Sequence, residues 1–369
     1  MLNALCGRDA LYEAVQTVAR GVSGRSTQPV QNNILIAAQA DHLRLVATDL
    51  EFISLEASIP ATQTEVGAIT VPARLFVELT GNLADADVEL KEAEGPAMTL
   101  KCARSRYQIR GMAAEDFETL PPLVDATTFE VDQALLKDVI RQTRVAVSAD
   151  ETRPTLTGAL LSLSPNQLEV VATDTHRLAM RRASISLPET EKRDAIVSAR
   201  ALTEVERILQ ADSETPAKVS VSDNQIEFVV GTVTVGSRLI EGQFPDYQKV
   251  IPEGCDKRIT VNARELEAAL RRALIVARED ANRISVTAAL DSLKISAESP
   301  DVGEVVEEIG AELEGEEVTV SFNARYLLDA INVVTAEQVH IELSGPLNPG
   351  VLRPAGDADY IYVLMPMQK

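Results

Sequence analysis

Three histidines, His42, His176 and His340, are the only imidazoles in the 369-residue chain, and none has the i+4 partner of a helical metal site. No Gly-x-x-x-x-Gly-Lys-Ser/Thr or Gly-x-Gly-x-x-Gly loop is present to cradle a phosphate. The carboxylate pairs Asp85/Asp87 and Asp357/Asp359 have the chemistry for magnesium, which would make a nuclease, but both lie in stretches that read as polar turns. No metal, cofactor or catalytic group is therefore expected. The spacing that stands out is cationic. Lys137, Arg141 and Arg144 are four and three residues apart, and Arg264, Arg271 and Arg278 are seven apart with Arg272 beside them, so each set shares one face of a helix. Such a face can be a solvated surface, or it can meet phosphates by charge, which positions a protein on nucleic acid without reading its sequence.

The elements that carry these faces belong to a repeat. LRLVATDLEFISLEASI begins at Leu43, LEVVATDTHRLAMRRASI at Leu168 and LKISAESPDVGEVVEEIGAEL at Leu293, a constant interval of 125 residues. An independent Ala-Arg marker recurs at Arg74, Arg200 and Arg325 in the same order. Each unit reads as an amphipathic helix (about 8–20, 133–147 and 263–278), alternating strands, a second helix near the Ala-Arg marker, and further strands. In the first helices Leu135, Leu136, Val139 and Ile140, and Leu266, Leu270 and Leu274, oppose the cations. Pro-containing breaks in TLPPLVD and KVIPEGCD set boundaries near 124 and 252. The fold class is α+β, with three two-helix, antiparallel-sheet domains at 1–124, 125–252 and 253–369. Units this long own a core each, and repeated whole domains favour closed pseudo-symmetric assembly.

Thirty-five basic against fifty-six acidic side chains give a net charge of −21, which repels nucleic acid unless the cations are gathered on one face. The carboxylates cluster elsewhere, as in EVVEEIGAELEGEE, while Arg207 joins Arg200 on one helix and Arg25 sits in the loop VSGRSTQP. Aromatics are 4% of the chain and Trp is absent, which disfavours stacking on single strands. Cys6, Cys102 and Cys255 are odd in number and far apart, so they read as idle thiols rather than a disulfide or zinc set. No apolar run approaches the roughly 20 residues of a membrane span, and the opening segment reaches Arg8 and Asp9 too soon for a secretory signal, so a cytoplasmic protein is expected.

Together with the threefold repeat, the motifs ATDTHRLAMR (Ala172 to Arg181), GQFPDYQKVIP (Gly242 to Pro252) and YVLMPM (Tyr362 to Met367) resemble, over essentially the full length, the bacterial DNA polymerase III beta subunit family, the sliding clamps. The resemblance implies a head-to-tail homodimeric ring with helices lining a hole. Such a ring encircles duplex DNA without sequence specificity and makes no membrane contact. It also implies a hydrophobic cleft that takes short linear peptides from the DNA polymerase III alpha subunit, the clamp loader, and other polymerases and repair proteins. Matching motif positions would supply Arg153, Leu156, Thr173, His176, Arg177, Leu178, Pro245, Val250, Asn323, Tyr326, Val363, Leu364, Met365, Pro366 and Met367. Arg25, Arg74 and Arg200 carry over as DNA contacts, beside the helical cations and Arg207. Thr175 stands where the family usually has Gly, Gln248-Lys249 where an arginine pair is usual, and Gln368 where Arg is common. The alternative reading of the residues is a repeat-built protein-interaction scaffold that does not encircle DNA, its basic helices merely solvated.

Overall fold

The computed structural model describes residues 2–22, 28–187 and 192–368; Arg25 lies outside them. The first repeat runs β1 (Asn3–Cys6), α1 (Arg8–Ala19), β2 (Asn33–Ala38), β3 (His42–Thr48), β4 (Ser54–Pro60), β5 (Thr62–Glu65), β6 (Gly67–Pro72), α2 (Ala73–Gly81), β7 (Val88–Ala93), β8 (Ala97–Cys102), β9 (Ser105–Arg110) and β10 (Met112–Ala113). The second runs β11 (Thr127–Val131), α3 (Gln133–Arg144), β12 (Gly158–Ser164), β13 (Gln167–Thr173), β14 (Arg177–Ser184), β15 (Arg193–Ser198), α4 (Ala199–Ile208), β16 (Ala217–Val221), β17 (Gln225–Val230) and β18 (Val233–Arg238). The third runs β19 (Lys257–Asn262), α5 (Ala263–Ala277), β20 (Arg283–Ala288), β21 (Ser292–Ser299), β22 (Gly303–Glu314), β23 (Val318–Asn323), α6 (Ala324–Asn332), β24 (Gln338–Leu343), β25 (Gly350–Pro354) and β26 (Tyr360–Leu364).

Helix faces follow the sequence pattern. In α5, Leu266, Ala269, Leu270, Ala273, Leu274 and Ala277 are buried, while Arg264, Arg271, Arg272 and Arg278 are exposed. Asn262 caps this helix by accepting from the amides of Arg264 and Glu265. Helix α3 ends three residues before the expected 147, because Ala146 and Val147 donate three residues back, to Thr143 and Arg144, which tightens the last turn into a 3-10 form. Of the cysteines, Cys6 and Cys102 are buried and Cys255 half-buried, and burial, with Asp87 adding, pushes the Cys6 thiol up to about 12. Among the described residues no helix is long and apolar enough to cross a membrane.

The chain groups into two compact units, residues 1–136 with 200–239, and residues 137–199 with 240–369. The second repeat is therefore shared, and strand pairing explains the division. In the first unit, a nine-stranded antiparallel sheet of order β10-β6-β2-β3-β4-β18-β17-β16-β11 joins repeat one to repeat two through β4 and β18, beside a five-stranded sheet β5-β1-β7-β8-β9. In the second unit, a twelve-stranded sheet of order β15-β12-β13-β14-β26-β25-β24-β19-β22-β21-β20-β23 joins repeat two to repeat three through β14 and β26.

The two junctions share one register. Ser54 faces Gly236 in the first and Leu178 faces Val363 in the second. Ser54 and Leu178 lie opposite Thr48 and Thr173, the threonines of the repeated Ala-Thr-Asp. Gly236 and Val363 trace across their ladders through Glu227 and Val351, then Ser220 and Glu342, to Thr128 and Arg258, each standing five residues before the first helix of its repeat. At the positions that correspond to these junctions, two strand edges have no partner among the described residues. Strand β9 ends the five-stranded sheet, and Gly303–Gly310 of β22 pair on one side with β21 and, among the described residues, with no strand on the other.

A candidate peptide cleft and the basic helices

The Ala-Thr-Asp segment of each of the first two repeats builds the same turn. In repeat two, the Thr173 hydroxyl donates to the Arg177 carbonyl and accepts from the Thr175 amide, while Asp174 Oδ1 accepts from the amides of His176 and Arg177. In repeat one, Thr48 and Asp49 make the corresponding bonds to Ile53, Leu50 and the amides of residues 51–53. The wiring forces the residue after Asp into the left-handed region, at φ 63° for Leu50 and 79° for Thr175. A residue other than glycine held there costs about 1–3 kcal/mol, so the family's usual Gly would relieve strain at this place.

The spare oxygen of each turn aspartate fixes an arginine. Asp174 Oδ2 takes Arg177 Nε at 2.9 Å, and the Arg177 guanidinium continues to Asp329 at 2.6 Å and to the Tyr362 hydroxyl at 3.2 Å. It lies 4.3 Å from the centre of the Tyr326 ring, on which His176 also stacks at 6.4 Å. Burial works against the Arg177 charge, yet Tyr362, Asp329 and Asp174 outweigh it, and its pKa is held above the ordinary arginine value. In repeat one Asp49 takes Arg200, which also donates to the carbonyls of Arg20 and Val22.

Alternate residues of β12–β15 point to one face, and there an apolar row crosses the second junction: Ile196, Leu160, Val171, Met180 and Ile361 are successive cross-strand neighbours, with Leu178, Val363 and Val351 alongside. Ile240, Phe244, Tyr247, Val250, Ile251 and Cys255 pack half-buried against this cluster. The same positions at the first junction are Thr70, Leu35, Val46, Glu56 and Thr234, with Ser54, Gly236 and Glu227. In repeat three they are Ser321, Ser285, Ser296 and Val306, with Glu304. One backbone frame is thus used three times, and only the middle one is apolar throughout. A cavity of about 290 Å³ at the first junction is lined by the Arg44–Glu56 ion pair and by residues 119–123.

Most sequence-derived cleft residues gather here. Leu178 and Val363 belong to the cluster, and Val250 packs on it. Leu156 and Leu364 are buried, while Met365, Pro366 and Met367 stay half-exposed, the tail being held by Met365 N–H to the His176 carbonyl and Met367 N–H to the Ser321 carbonyl. Pro245 is exposed on the linker. Asn323 is the N-cap of α6, its side-chain oxygen accepting from the amides of Arg325 and Tyr326. Arg153 stands exposed at the start of a short 3-10 turn, Pro154–Leu156. Sequence reasoning missed Leu160, Val171, Met180, Ile196, Val351, Ile361, Phe244 and Tyr247. Period-two alternation in β12–β14 marked some of them, but their meeting with β25 and β26 needs the cross-repeat register.

Several of the candidate cations are engaged with carboxylates. Arg141 binds Asp138 at 2.9 Å, and Arg271 binds Glu267 at 2.7 Å and Asn332 at 3.2 Å. Arg207 and Arg20 hold the buried Glu204 between them, and Arg272 binds Glu307. Lys137 and Arg144 lie half-buried on the same face of α3, and Arg74, Arg264 and Arg278 are exposed. The exposed pairs, Arg141–Asp138 and Arg271–Glu267, are worth under about 1 kcal/mol each, so a phosphate can displace them.

A thrice-repeated helix-pair-and-sheet unit with one apolar groove and cation-bearing helices defines a binding protein assembled from tandem domains. Family models described as the DNA polymerase III beta subunit match its N-terminal domain at residues 2–121, its central domain at 130–246 and its C-terminal domain at 248–368. The beta sliding clamp of Bacillus subtilis is 32% identical and that of Pseudomonas putida 35% identical, each over 98% of both chains. The crystal structure of the Bacillus subtilis DNA polymerase sliding clamp superposes with a TM-score of 0.95 at 32% identity, covering 100% of this chain and 99% of that one. A Pseudomonas aeruginosa sliding clamp bound to griselimycin superposes at 0.94 with 32% identity and full coverage of both chains. The chain belongs to the DNA polymerase III beta subunit family, whose members are sliding clamps, processivity factors of DNA replication rather than enzymes.

Proposed function

We propose that two copies close head to tail into a ring around duplex DNA and tether polymerases through the apolar cleft. The observation that carries this reading is the repeated junction register. Continued once more, it sets Glu304 of β22 opposite Gln108 of β9 in a second copy, with Val305 opposite Tyr107, Val306 opposite Arg106 and Glu307 opposite Ser105. An intrachain version would need one edge of each unit, and a second copy supplies the same pairing twice, which closes the assembly. Chemistry supports it: β9 carries Arg106 and Arg110, whereas β22 carries Glu304, Glu307 and Glu308. Exposed Ile275 of α5 and Leu75 of α2 are apolar side chains that such an interface would cover.

In the ring, Lys137, Arg141, Arg144, Arg264, Arg271 and Arg278, with Arg74, Arg200 and Arg207, line the hole. They meet phosphates without sequence readout. The acidic exterior repels DNA approaching from the side. The cleft, built from the Leu160 row, the 244–251 linker and the tail, takes short peptides with apolar anchors from the polymerase III alpha subunit, the clamp loader and other polymerases or repair proteins. The three domains are read as 1–124, 125–252 and 253–369, and the site of action is the cytoplasm, where a bacterial chromosome lies.

The test is retention after loading by a clamp loader with ATP. The protein should stay on nicked circular duplex and be lost when the circle is linearised, since only a topological link behaves so. Equal retention on both forms would leave a binding scaffold as the better description.

A further inference from the structure

We propose that the polar groove at the first junction, between β4 and β18, is a separate docking site that takes a lysine side chain of a protein partner.

This groove is the backbone frame of the middle junction with its filling removed. In the middle, Leu178, Val363 and Val351 stand side by side and pack together. The same places at the first junction are Ser54, Gly236 and Glu227. Gly236 puts no side chain between its neighbours, and a Cβ built on it would lie 3.3 Å from Leu120 Cδ1 and 3.8 Å from Ser54 Cβ. The gap belongs to the cavity of about 290 Å³, whose apolar wall is Val46, Leu120, Pro121, Pro122 and Leu123. Sites for whole small molecules run from roughly 300 to 1,000 Å³, so this one suits a single anchoring side chain.

Its polar groups call for a cation. Glu56 is taken up by Arg44, whose Nε and Nη2 donate to its two oxygens at 2.7 and 2.6 Å. Glu227 is half-buried, and among the described residues its carboxylate accepts no hydrogen bond and forms no ion pair; Lys218 on β16 acts on it only through space. The hydroxyls of Ser54 and Thr234, which line the same cavity, are also without hydrogen bonds among the described residues. A lysine ammonium has three donors for these three acceptors, and its four-carbon stem can lie on the leucines and prolines. An apolar side chain would instead bury Glu227 unpaired. Burial and Glu56 push the Glu227 pKa up, so its ionised form destabilises the empty groove, and a bound cation would offset that. The gap holds one ammonium beside an apolar wall, which fits a polypeptide better than a free polyamine charged at intervals.

The probes are two acetylated, amidated pentapeptides, Ala-Ser-Lys-Ser-Ala and its norleucine counterpart, titrated into the full chain with methyl-labelled leucine and valine and read by NMR. The lysine peptide should shift the Leu120 and Val46 methyls, leave Leu178 unmoved, and bind about tenfold more tightly than the norleucine peptide, as one charge-assisted hydrogen bond allows. Glu227→Gln, which keeps the shape, should remove that preference, and Gly236→Val, which fills the gap as Val363 does in the middle frame, should abolish binding. Glu227→Gln decides alone if Gly236→Val does not fold. Equal binding of the two peptides, a preference that survives Glu227→Gln, or shifts at Leu178 in place of Leu120 would overturn the site. Putrescine binding more tightly than the lysine peptide would overturn the protein partner.

Discussion

Reversing Arg106 to Glu should open the ring without unfolding the chain. In the proposed ring, the register extrapolated from the two internal junctions sets Arg106 opposite Val306 of the other copy, with Glu304 and Glu308 on the same face two residues to either side, at diagonal distances of about 7–8 Å. Exposed pairs at that diagonal range contribute about 0.3–0.5 kcal/mol each, and reversal turns two attractions into two repulsions, a change of about 1–2 kcal/mol per interface. A head-to-tail pair has two interfaces, so the ring loses about 2–4 kcal/mol, or about 30- to 700-fold in dissociation constant. Sedimentation equilibrium over a dilution series reads this directly. The gap between wild type and variant should narrow at high salt, where the Debye length falls to about 3 Å. Restoring opposite charges with Glu304→Arg and Glu308→Arg on the Arg106→Glu background should recover the dimer. An unchanged dissociation constant for Arg106→Glu, or no recovery in the triple variant, would refute the register extrapolated from the two internal junctions.

Deleting Met365 to Lys369 should abolish peptide binding in an anisotropy titration with little change in melting temperature, because β26 ends at Leu364 and is paired on both sides. Leu178→Ser, which gives the middle groove the residue of Ser54, should abolish peptide binding and cost about 2–5 kcal/mol in denaturant unfolding. Arg141→Glu with Arg271→Glu should weaken DNA binding and flatten its log–log salt dependence by roughly 0.9 for each phosphate no longer neutralised. Glu227→Gln should raise thermal stability at neutral pH. Burial, then Glu56, raises the Glu227 pKa, so ionisation opposes folding above the ordinary glutamate range, and the gain should vanish as the pH falls below it.

The repeated Ala-Thr-Asp and Ala-Arg markers made the architecture legible, because each marks a local event: a tight turn closed by Thr173 and Asp174, and the start of a second helix. Helix faces were equally plain, since Leu266, Leu270 and Leu274 against Arg264, Arg271 and Arg278 follow a local period. Hidden from local pattern was every partnership across repeats. YVLMP reads as an apolar terminal strand in isolation, yet β26 is interior, seated between β14 and β25. The arginines could be placed on faces from spacing alone, but not their carboxylate partners, because Glu307 reaches Arg272 from another element and Asp49 reaches Arg200 from another repeat.

The division into units that straddle the repeats has a practical consequence for anyone dissecting the chain. Cutting at the homology boundaries would leave the middle third with β14 and β18 stripped of their neighbours, one of them displaying Leu178 and Met180 to water. Two raw, partly apolar borders on one fragment are templates for runaway polymerisation. That third should be the least tractable piece to express alone, although by sequence it is as complete a domain as either of the others.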